Sequence, residues 1–206
     1  MPKIVDRAQK QEEILEAAGR IFARDGFQGA TLQAIANEAG VGKATLYYYF
    51  DSKRDIVRAL LEQERLTLEE VLNRSLLGAN PGIEELERYA IARLTHVRDR
   101  IRGAQISDEN LKELLPVFWS ERQVLHHLLE ERLRLILQRG VDAHALAVED
   151  VELTARVIDV AMRSLLLEFY RRDDPDLLLR AARILIKCLR GRILPGGCST
   201  TTASTH

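Results

Sequence analysis

The chain has 206 residues, of which 46% are hydrophobic and 30% charged, and its formal net charge is -1. This composition indicates an ordinary globular protein of one or two domains. If the partner is acidic, the positive charge that binds it has to be concentrated in one part of the chain. The two cysteines, Cys188 and Cys198, exclude a disulfide framework or a zinc site, and no apolar stretch has the length of a membrane span. We therefore expect a cytoplasmic protein without a membrane partner.

Three helices are predicted at the start of the chain. The first carries an apolar stripe that includes Ile14 and Phe22, and it ends at Gly26, a residue type that often follows a helix in the left-handed conformation. Thr31 has the side chain of an N-cap for a short second helix. A tight turn at 40–42 then leads into a short third helix over 43–49. Two short helices joined by a glycine turn predict a helix-turn-helix over about 31–50.

Six further helices are predicted, so the expected fold is all-α with about nine helices. Ser52 and Asp55 form a capping-box variant before the fourth helix, and Pro116 is expected to bend or end the sixth. Helices four to nine are predicted at about 53–77, 83–101, 107–116, 119–139, 149–171 and 175–191. The Gly/Ser/Thr-rich tail over 193–206 is expected to be disordered.

The third helix has one apolar face and one unusual exposed face. With Leu46 and Phe50 turned inward, helical periodicity turns Ala44 and Tyr48 outward. The flanking positions carry a hydroxyl and a further tyrosine, and a lysine stands at the helix start. Such a face permits close approach to base edges and offers hydroxyl donors to phosphates. Charge gives weaker support, because three basic residues stand against two acidic ones between Thr31 and Arg54.

The N-terminal motifs resemble those of the TetR/AcrR transcriptional regulators. The residues that carry this resemblance are Ile14-Leu15-Glu16-Ala17-Ala18, Phe22, Gly26-Phe27, Thr31, Ile35-Ala36, Ala39-Gly40-Val41 and Leu46-Tyr47-Tyr48-Tyr49-Phe50-Asp51-Ser52-Lys53. The resemblance implies a DNA-binding domain over 7–60 and a helical effector-binding and dimerisation domain over 61–192. It also implies that base and backbone contacts come from Lys43, Ala44, Thr45 and Tyr48. Phosphate contacts are expected from Tyr47, Tyr49, Thr31 and Lys53, with Gln33 as a further DNA contact.

Residues in the second half are less distinctive. A largely apolar effector site is expected between helices, and the side chains considered as its lining are His96, Phe118, Trp119 and His126. An alternative reading makes the aromatic side chains plain core residues. His126 and Glu130 have a spacing that could hold a metal, but no third ligand is evident. No catalytic constellation, phosphate loop or dinucleotide fingerprint is present, so neither catalysis nor a cofactor is predicted.

The last two helices are predicted to form a homodimer as a four-helix bundle. The apolar residues assigned to this interface are Val157, Ile158, Ala161, Leu165, Leu178, Ala181, Leu185 and Leu189. The expected function is repression of transcription from a pseudo-palindromic operator, with release by a small-molecule effector. The alternative is a helical protein-interaction module in which the exposed tyrosine face binds another protein.

Overall fold

The computed structural model describes residues 7–121, 123–170, 177 and 180–186. These residues form eight α-helices and a further helical stretch at 180–186, and they contain no β-strand. The helices are α1 (Arg7–Gly29), α2 (Leu32–Glu38), α3 (Lys43–Tyr49), α4 (Lys53–Leu76), α5 (Ile83–Gly103), α6 (Asp108–Glu121), α7 (Gln123–Asp142) and α8 (Val151–Tyr170). The predicted all-α fold is confirmed.

The boundary between the sixth and seventh helices was predicted wrongly. Helix α6 continues through Pro116 to Glu121, because Leu114 before the proline and Val117 after it pack against the same core. Helix α7 therefore begins at Gln123, four residues later than predicted. The tail over 193–206, both cysteines and the interface residues Leu178 and Leu189 lie outside the described residues.

The chain forms two compact units that are discontinuous in sequence. Unit 1 comprises residues 1–72 and 95–128, and unit 2 comprises residues 73–94 and 129–206. Helices α4, α5 and α7 consequently contribute residues to both units. The predicted division after residue 60 follows the order of the helices, whereas the two units follow packing, which local sequence patterns do not report.

Unit 1 has its core among α1, α2, α3, the first part of α4 and α6. The fully buried members include Ile14, Phe22, Ile35 and Leu46, and Leu114 of α6 belongs to the same cluster. Gly26 interrupts α1 with a φ of 72°, a left-handed conformation that favours glycine. Burial of the predicted apolar stripe thus holds the short helices α2 and α3, which are too short to be stable alone.

Two polar side chains of α6 bind the end of α1. Asn110 Nδ2 donates to the carbonyl oxygens of Ala23 and Arg24, each at 2.9 Å. The Glu113 carboxylate accepts the backbone N–H of Gln28. These bonds satisfy backbone groups that the break at Gly26 would otherwise leave without a partner.

Unit 2 encloses a buried ion-pair network that no sequence pattern indicated. Arg93 is 1% exposed, and its Nη1 lies 2.7 Å from Oδ1 of the fully buried Asp159. The other carboxylate oxygen lies 2.9 Å from Nε of Arg163. Tyr89 donates its hydroxyl to the Leu129 carbonyl at 3.1 Å, and its pKa is raised because burial disfavours the phenolate. The network links α5 with α8, and Tyr89 adds α7.

Candidate nucleic-acid interface

The turn between α2 and α3 is built as the sequence predicts. Thr31 caps α2, since its Oγ1 accepts the backbone N–H of Ala34 at 3.0 Å. Gly40 adopts a φ of 64°, and Val41 N–H closes the turn onto the Ala36 carbonyl at 2.9 Å. These bonds fix the direction in which α3 leaves the turn.

Helix α3 presents the predicted face to solvent. Leu46 is fully buried and Phe50 nearly so, whereas Tyr48 is 66% exposed and Tyr47 is 44% exposed. The same exposed surface includes three smaller or charged residues at the helix start, namely Lys43, Ala44 and Thr45. Because Leu46 is buried in the core, its packing sets the side of α3 that faces solvent.

Tyr49 joins this surface to the core. Its ring lies edge-on to the Tyr48 ring at 5.2 Å between centroids, and it packs against the buried cluster of unit 1. Gln33, on the exposed side of α2, donates to Asn37 Oδ1 at 2.9 Å. The structure therefore brings the predicted DNA contacts of α2 and α3 into one part of unit 1, while their contact with DNA stays a prediction.

Lys53 has an internal role that the sequence did not indicate. Its Nζ donates to the carbonyl oxygens of Phe27 at 2.5 Å and Ala30 at 2.8 Å, and it lies 4.7 Å from the Phe27 ring centroid. The ammonium group thereby ties the start of α4 to the end of α1. No local signal could have revealed this, since more than twenty residues separate the partners in sequence.

Two basic residues without a described carboxylate partner lie over tyrosine rings of α3. Five of the eight basic residues between 7 and 60 form ion pairs, namely Lys10, Arg20, Arg24, Arg54 and Arg58. Among the described contacts, the remaining three have no carboxylate partner and lie over aromatic rings instead. Lys43 Nζ is 5.8 Å from the Tyr47 ring centroid, and Arg7 Cζ is 5.2 Å from that of Tyr48.

The helix N-termini differ in their acidic residues. Helices α1, α2, α3 and α7 carry no acidic residue in their first turns, whereas α4, α5, α6 and α8 each carry at least one. A carboxylate at a helix start satisfies the positive end of the helix dipole. At α3, where the N-cap Gly42 also provides no side-chain hydrogen bond, the positive end of the helix is left without a carboxylate.

The similarity of this chain to known proteins includes the helices that form this surface. The family model of the bacterial regulatory proteins of the tetR family matches residues 14–60, which include α2, the turn and α3. The transcriptional repressor AcnR of Corynebacterium glutamicum is 30% identical over 137 residues, which cover 64% of this chain and 66% of that protein. The chain belongs to the TetR family. It is a DNA-binding transcriptional regulator.

Solved structures extend the similarity of fold over nearly the whole chain. A transcriptional regulator of the TetR family from Agrobacterium tumefaciens has a TM-score of 0.67 at 19% identity, over 91% of this chain and 99% of that one. A regulator structure from Pseudomonas aeruginosa PAO1 has a TM-score of 0.73 at 19% identity, over 92% of each chain. Members of the TetR family bind operator DNA and act as dimers with small-molecule effectors.

All four side chains considered for an effector site lie in unit 1. Phe118 packs against the core that supports the TetR-type helix-turn-helix. His96 Nε2 lies 2.6 Å from Glu64 Oε1, so this histidine is engaged by α4. Trp119 is exposed, and His126 is half-buried on α7. The structure thus gives His96 and Phe118 contacts within the protein, and an effector contact by any of the four stays a prediction.

Glu64 is the centre of a small ion-pair cluster between α4 and α5. Its second carboxylate oxygen lies 2.9 Å from Nε of Arg100. Burial alone would raise the pKa of Glu64, but the hydrogen bonds and charges of His96 and Arg100 outweigh it, so the pKa is lowered. The carboxylate is therefore ionised at neutral pH.

The dimerisation residues predicted on α8 divide between the core and the surface. Val157 is 55% exposed, whereas Ile158 is 2% exposed and belongs to the core of unit 2. Ile158 is thus buried within its own protomer, and both faces of α8 carry apolar residues, so a role in the dimer interface stays a prediction. Three further apolar residues that the sequence reasoning left out are also exposed: Leu153, Val160 and Ile184. Ala161, Leu165, Ala181 and Leu185 are half-buried.

Neither a metal centre nor a membrane span is found in the described part of the chain. No three His, Cys, Asp or Glu side chains lie close enough together there to hold a metal ion. Glu130, considered with His126 as a ligand pair, is instead 2.9 Å from Nε of Arg156. None of the described helices is long and apolar enough to cross a membrane.

Proposed function

We propose that the protein is a homodimeric repressor that inserts α3 of each protomer into the major groove of a pseudo-palindromic operator. The observation that carries this proposal is the outward face of α3, where Tyr48 is exposed above the fully buried Leu46. The name of the relative AcnR, a transcriptional repressor, supports repression as the outcome of binding.

In this proposal the exposed residues of α3 divide the work between bases and backbone. Bases and the adjacent backbone are contacted by Lys43, Ala44, Thr45 and Tyr48. Phosphates are bound by Tyr47, Tyr49 and Thr31, and Gln33 reaches the DNA from α2. Lys53 adds its positive charge near the phosphates, while its Nζ donates to the carbonyl oxygens of Phe27 and Ala30. Ala44 has no side-chain hydrogen-bonding group, so direct readout of the bases depends on Lys43 and Thr45.

The dimer interface is proposed on the exposed apolar face of α8 together with Ile184. Leu153, Val157 and Val160 recur at intervals of four and three residues, which places them on one side of the helix. These side chains are exposed in the single chain, and a second copy of the chain would bury them. Exposed apolar groups of this size favour association. Sedimentation equilibrium at micromolar concentration should show a dimer for the wild type and a monomer for Val157→Lys combined with Val160→Lys. A dimer in the double variant would exclude this face.

Effector release is proposed as a two-state equilibrium. A small molecule that prefers the state with low DNA affinity lowers operator binding by its differential affinity for the two states, and by no more. Helix α4 is the proposed mechanical link, because it follows the helix-turn-helix directly in the chain and continues from unit 1 into unit 2. Trp119→Ala and His126→Ala test the proposed lining, and an unchanged effector affinity in both would remove these residues from the site.

The test of DNA binding is fluorescence anisotropy with an operator selected from a random-sequence library, against scrambled DNA and over a salt series. We expect wild-type binding to be selective and salt-sensitive, and Tyr48→Ala to weaken operator binding by about thirty-fold, or about 2 kcal/mol. Leu77→Ala removes a similarly exposed side chain outside the surface and should change nothing. A selection that yields no enriched sequence would refute the proposed operator recognition.

A further inference from the structure

Arg7, the first described residue of α1, lies beside the surface that α3 presents. Its guanidinium carbon is 5.2 Å from the centroid of the Tyr48 ring, and the side chain is exposed. Among the described residues it has no carboxylate partner. Arg20 and Arg24 of the same helix each have one, at 2.8 Å and 2.7 Å. Within the described part of the chain, the N–H donors of Arg7 are therefore left for another molecule.

The placement of this charge is unfavourable for α1 itself. Arg7 and Lys10 stand in the first turn, which contains no acidic residue, and the N-terminal end of a helix is already positive. Helices α5 and α6 have two acidic residues each in the same position. A bound anion would remove the disadvantage at α1 by offsetting the positive end of the helix and accepting the arginine donors.

The position of Arg7 is coupled to α3 through aromatic rings. Its guanidinium lies over the Tyr48 ring, Tyr48 stands perpendicular to Tyr49, and Tyr49 packs on the core of unit 1. A guanidinium over an aromatic face keeps its N–H edge free, which is the edge that binds phosphate in a bidentate manner. The rings thus hold the arginine close to α3 without using its hydrogen-bond donors.

We propose that Arg7 binds a phosphate of the operator backbone beside the groove that α3 enters, and that the Tyr48 ring positions it for this contact. A helix outside the groove reaches the DNA backbone rather than the base edges, so the contact adds affinity without sequence selectivity. Tyr48 then has two functions, one toward the DNA and one as the support for Arg7. This inference rests on the DNA-binding function proposed above.

The test compares Arg7→Ala with Arg24→Ala by anisotropy on the selected operator and on scrambled DNA. Both variants remove one positive charge from an exposed position on α1. We expect Arg7→Ala to weaken binding to both DNAs by about five-fold for each protomer, and so about twenty-five-fold for the dimer. Because two phosphate contacts are lost per dimer, the slope of log affinity against log salt should decrease by about two units. Arg24→Ala should leave affinity and slope close to the wild type.

A second comparison tests the support by Tyr48. The loss caused by Arg7→Ala should be unchanged in a Tyr48→Phe background, which keeps the ring. It should shrink in a Tyr48→Leu background, which removes the ring, and a double-mutant cycle measures the difference. Melting curves of all variants confirm that the fold is intact, as expected for changes at two exposed side chains.

Three outcomes would overturn the inference. Equal effects of Arg7→Ala and Arg24→Ala would show that only total charge matters. A loss confined to the selected operator would show a base contact rather than a phosphate contact. Equal coupling in the phenylalanine and leucine backgrounds would exclude the support by the Tyr48 ring. Failure of the proposed function is distinguishable, because in that case the wild type itself would not select DNA.

Discussion

Arg7 in unit 1 and Arg93 in unit 2 show two opposite uses of the same side chain. Arg7 is exposed, lies over the Tyr48 ring and has no carboxylate partner in the described structure. Arg93 is almost fully buried, and the Asp159 carboxylate lies 2.7 Å from it. One guanidinium keeps its donors for another molecule, and the other joins two helices of its own chain.

The difference between the two arginines shows what each unit uses charge for. A buried arginine has to be paired, because an unpaired charge in the interior costs several kcal/mol. An exposed arginine contributes little to folding, so its charge can serve a partner at almost no cost in stability. Unit 2 should therefore lose stability when its arginine is changed, whereas unit 1 should lose DNA affinity.

The largest effect is expected from Arg93→Met. The change leaves Asp159 buried with Arg163 as its remaining partner, and it should lower the free energy of unfolding by about 3 kcal/mol. Urea unfolding followed by circular dichroism, at one fixed protein concentration, measures it. Asp159→Leu in the same chain removes the stranded carboxylate and should restore part of the loss. A loss below about 1 kcal/mol in the free energy of unfolding of Arg93→Met would contradict the contrast between Arg93 and Arg7.

A smaller effect is expected from Gly26→Ala, which tests how polar groups inside unit 1 are used. The residue has a φ of 72°, and an added Cβ would lie 2.6 Å from Glu113 Oε2, disturbing the carboxylate that holds Gln28. We expect a loss of about 2 kcal/mol in the free energy of unfolding.

Gly40→Ala is the control for the steric part of this change. Gly40 also has a positive φ, 64°, but nothing lies within 4 Å of an added Cβ, so only backbone strain of about 1 kcal/mol applies. The ψ of Gly26 is 177°, so its own backbone strain is at least as large. A loss at Gly26 no larger than that at Gly40 would show that the contact with α6 contributes nothing to unit 1.

An intermediate case is the half-buried Glu64, whose pKa is lowered by His96 and Arg100. A lowered pKa means that the stabilisation is present at neutral pH and is lost as the pH falls through the folded-state pKa. Wild type should exceed Glu64→Gln by about 1 kcal/mol in the free energy of unfolding at pH 7. This gap should close on acidification below about 4.5, the ordinary value for glutamate. Glu62→Gln, at a more exposed pair with Arg65, should show almost no gap.

The smallest effect on stability is expected from Arg7→Ala. Its side chain is exposed and has only a ring contact, so the free energy of unfolding should change by less than about 0.5 kcal/mol. The same urea experiment measures this change beside that of Arg93→Met. A loss comparable to that of the buried arginine would mean that Arg7 is a structural residue, and the contrast between the two units would disappear.

The helix-turn-helix was predictable because its signals are local. The N-cap at Thr31, the left-handed glycine at 40 and the burial of Leu46 with exposure of Tyr48 each depend on a few neighbouring residues. The internal role of Lys53 was not predictable, because it depends on carbonyl groups that only folding brings to its ammonium. The burial of Ile158 in its own chain was not predictable for a related reason, since α8 has apolar residues on two faces.

Local sequence patterns were enough to predict that the protein is helical, where the short helices α2 and α3 begin, and which face of α3 is exposed. Helical periodicity and capping depend on residues three or four positions apart, so both can be recognised directly in the sequence. Other contacts form only when the chain has folded. Helix α6 then packs against the core of unit 1, Arg93 pairs with Asp159, and Arg7 lies over the Tyr48 ring. These contacts join residues that are distant in sequence, so their energies depend on packing and burial, which exist only after the chain has folded.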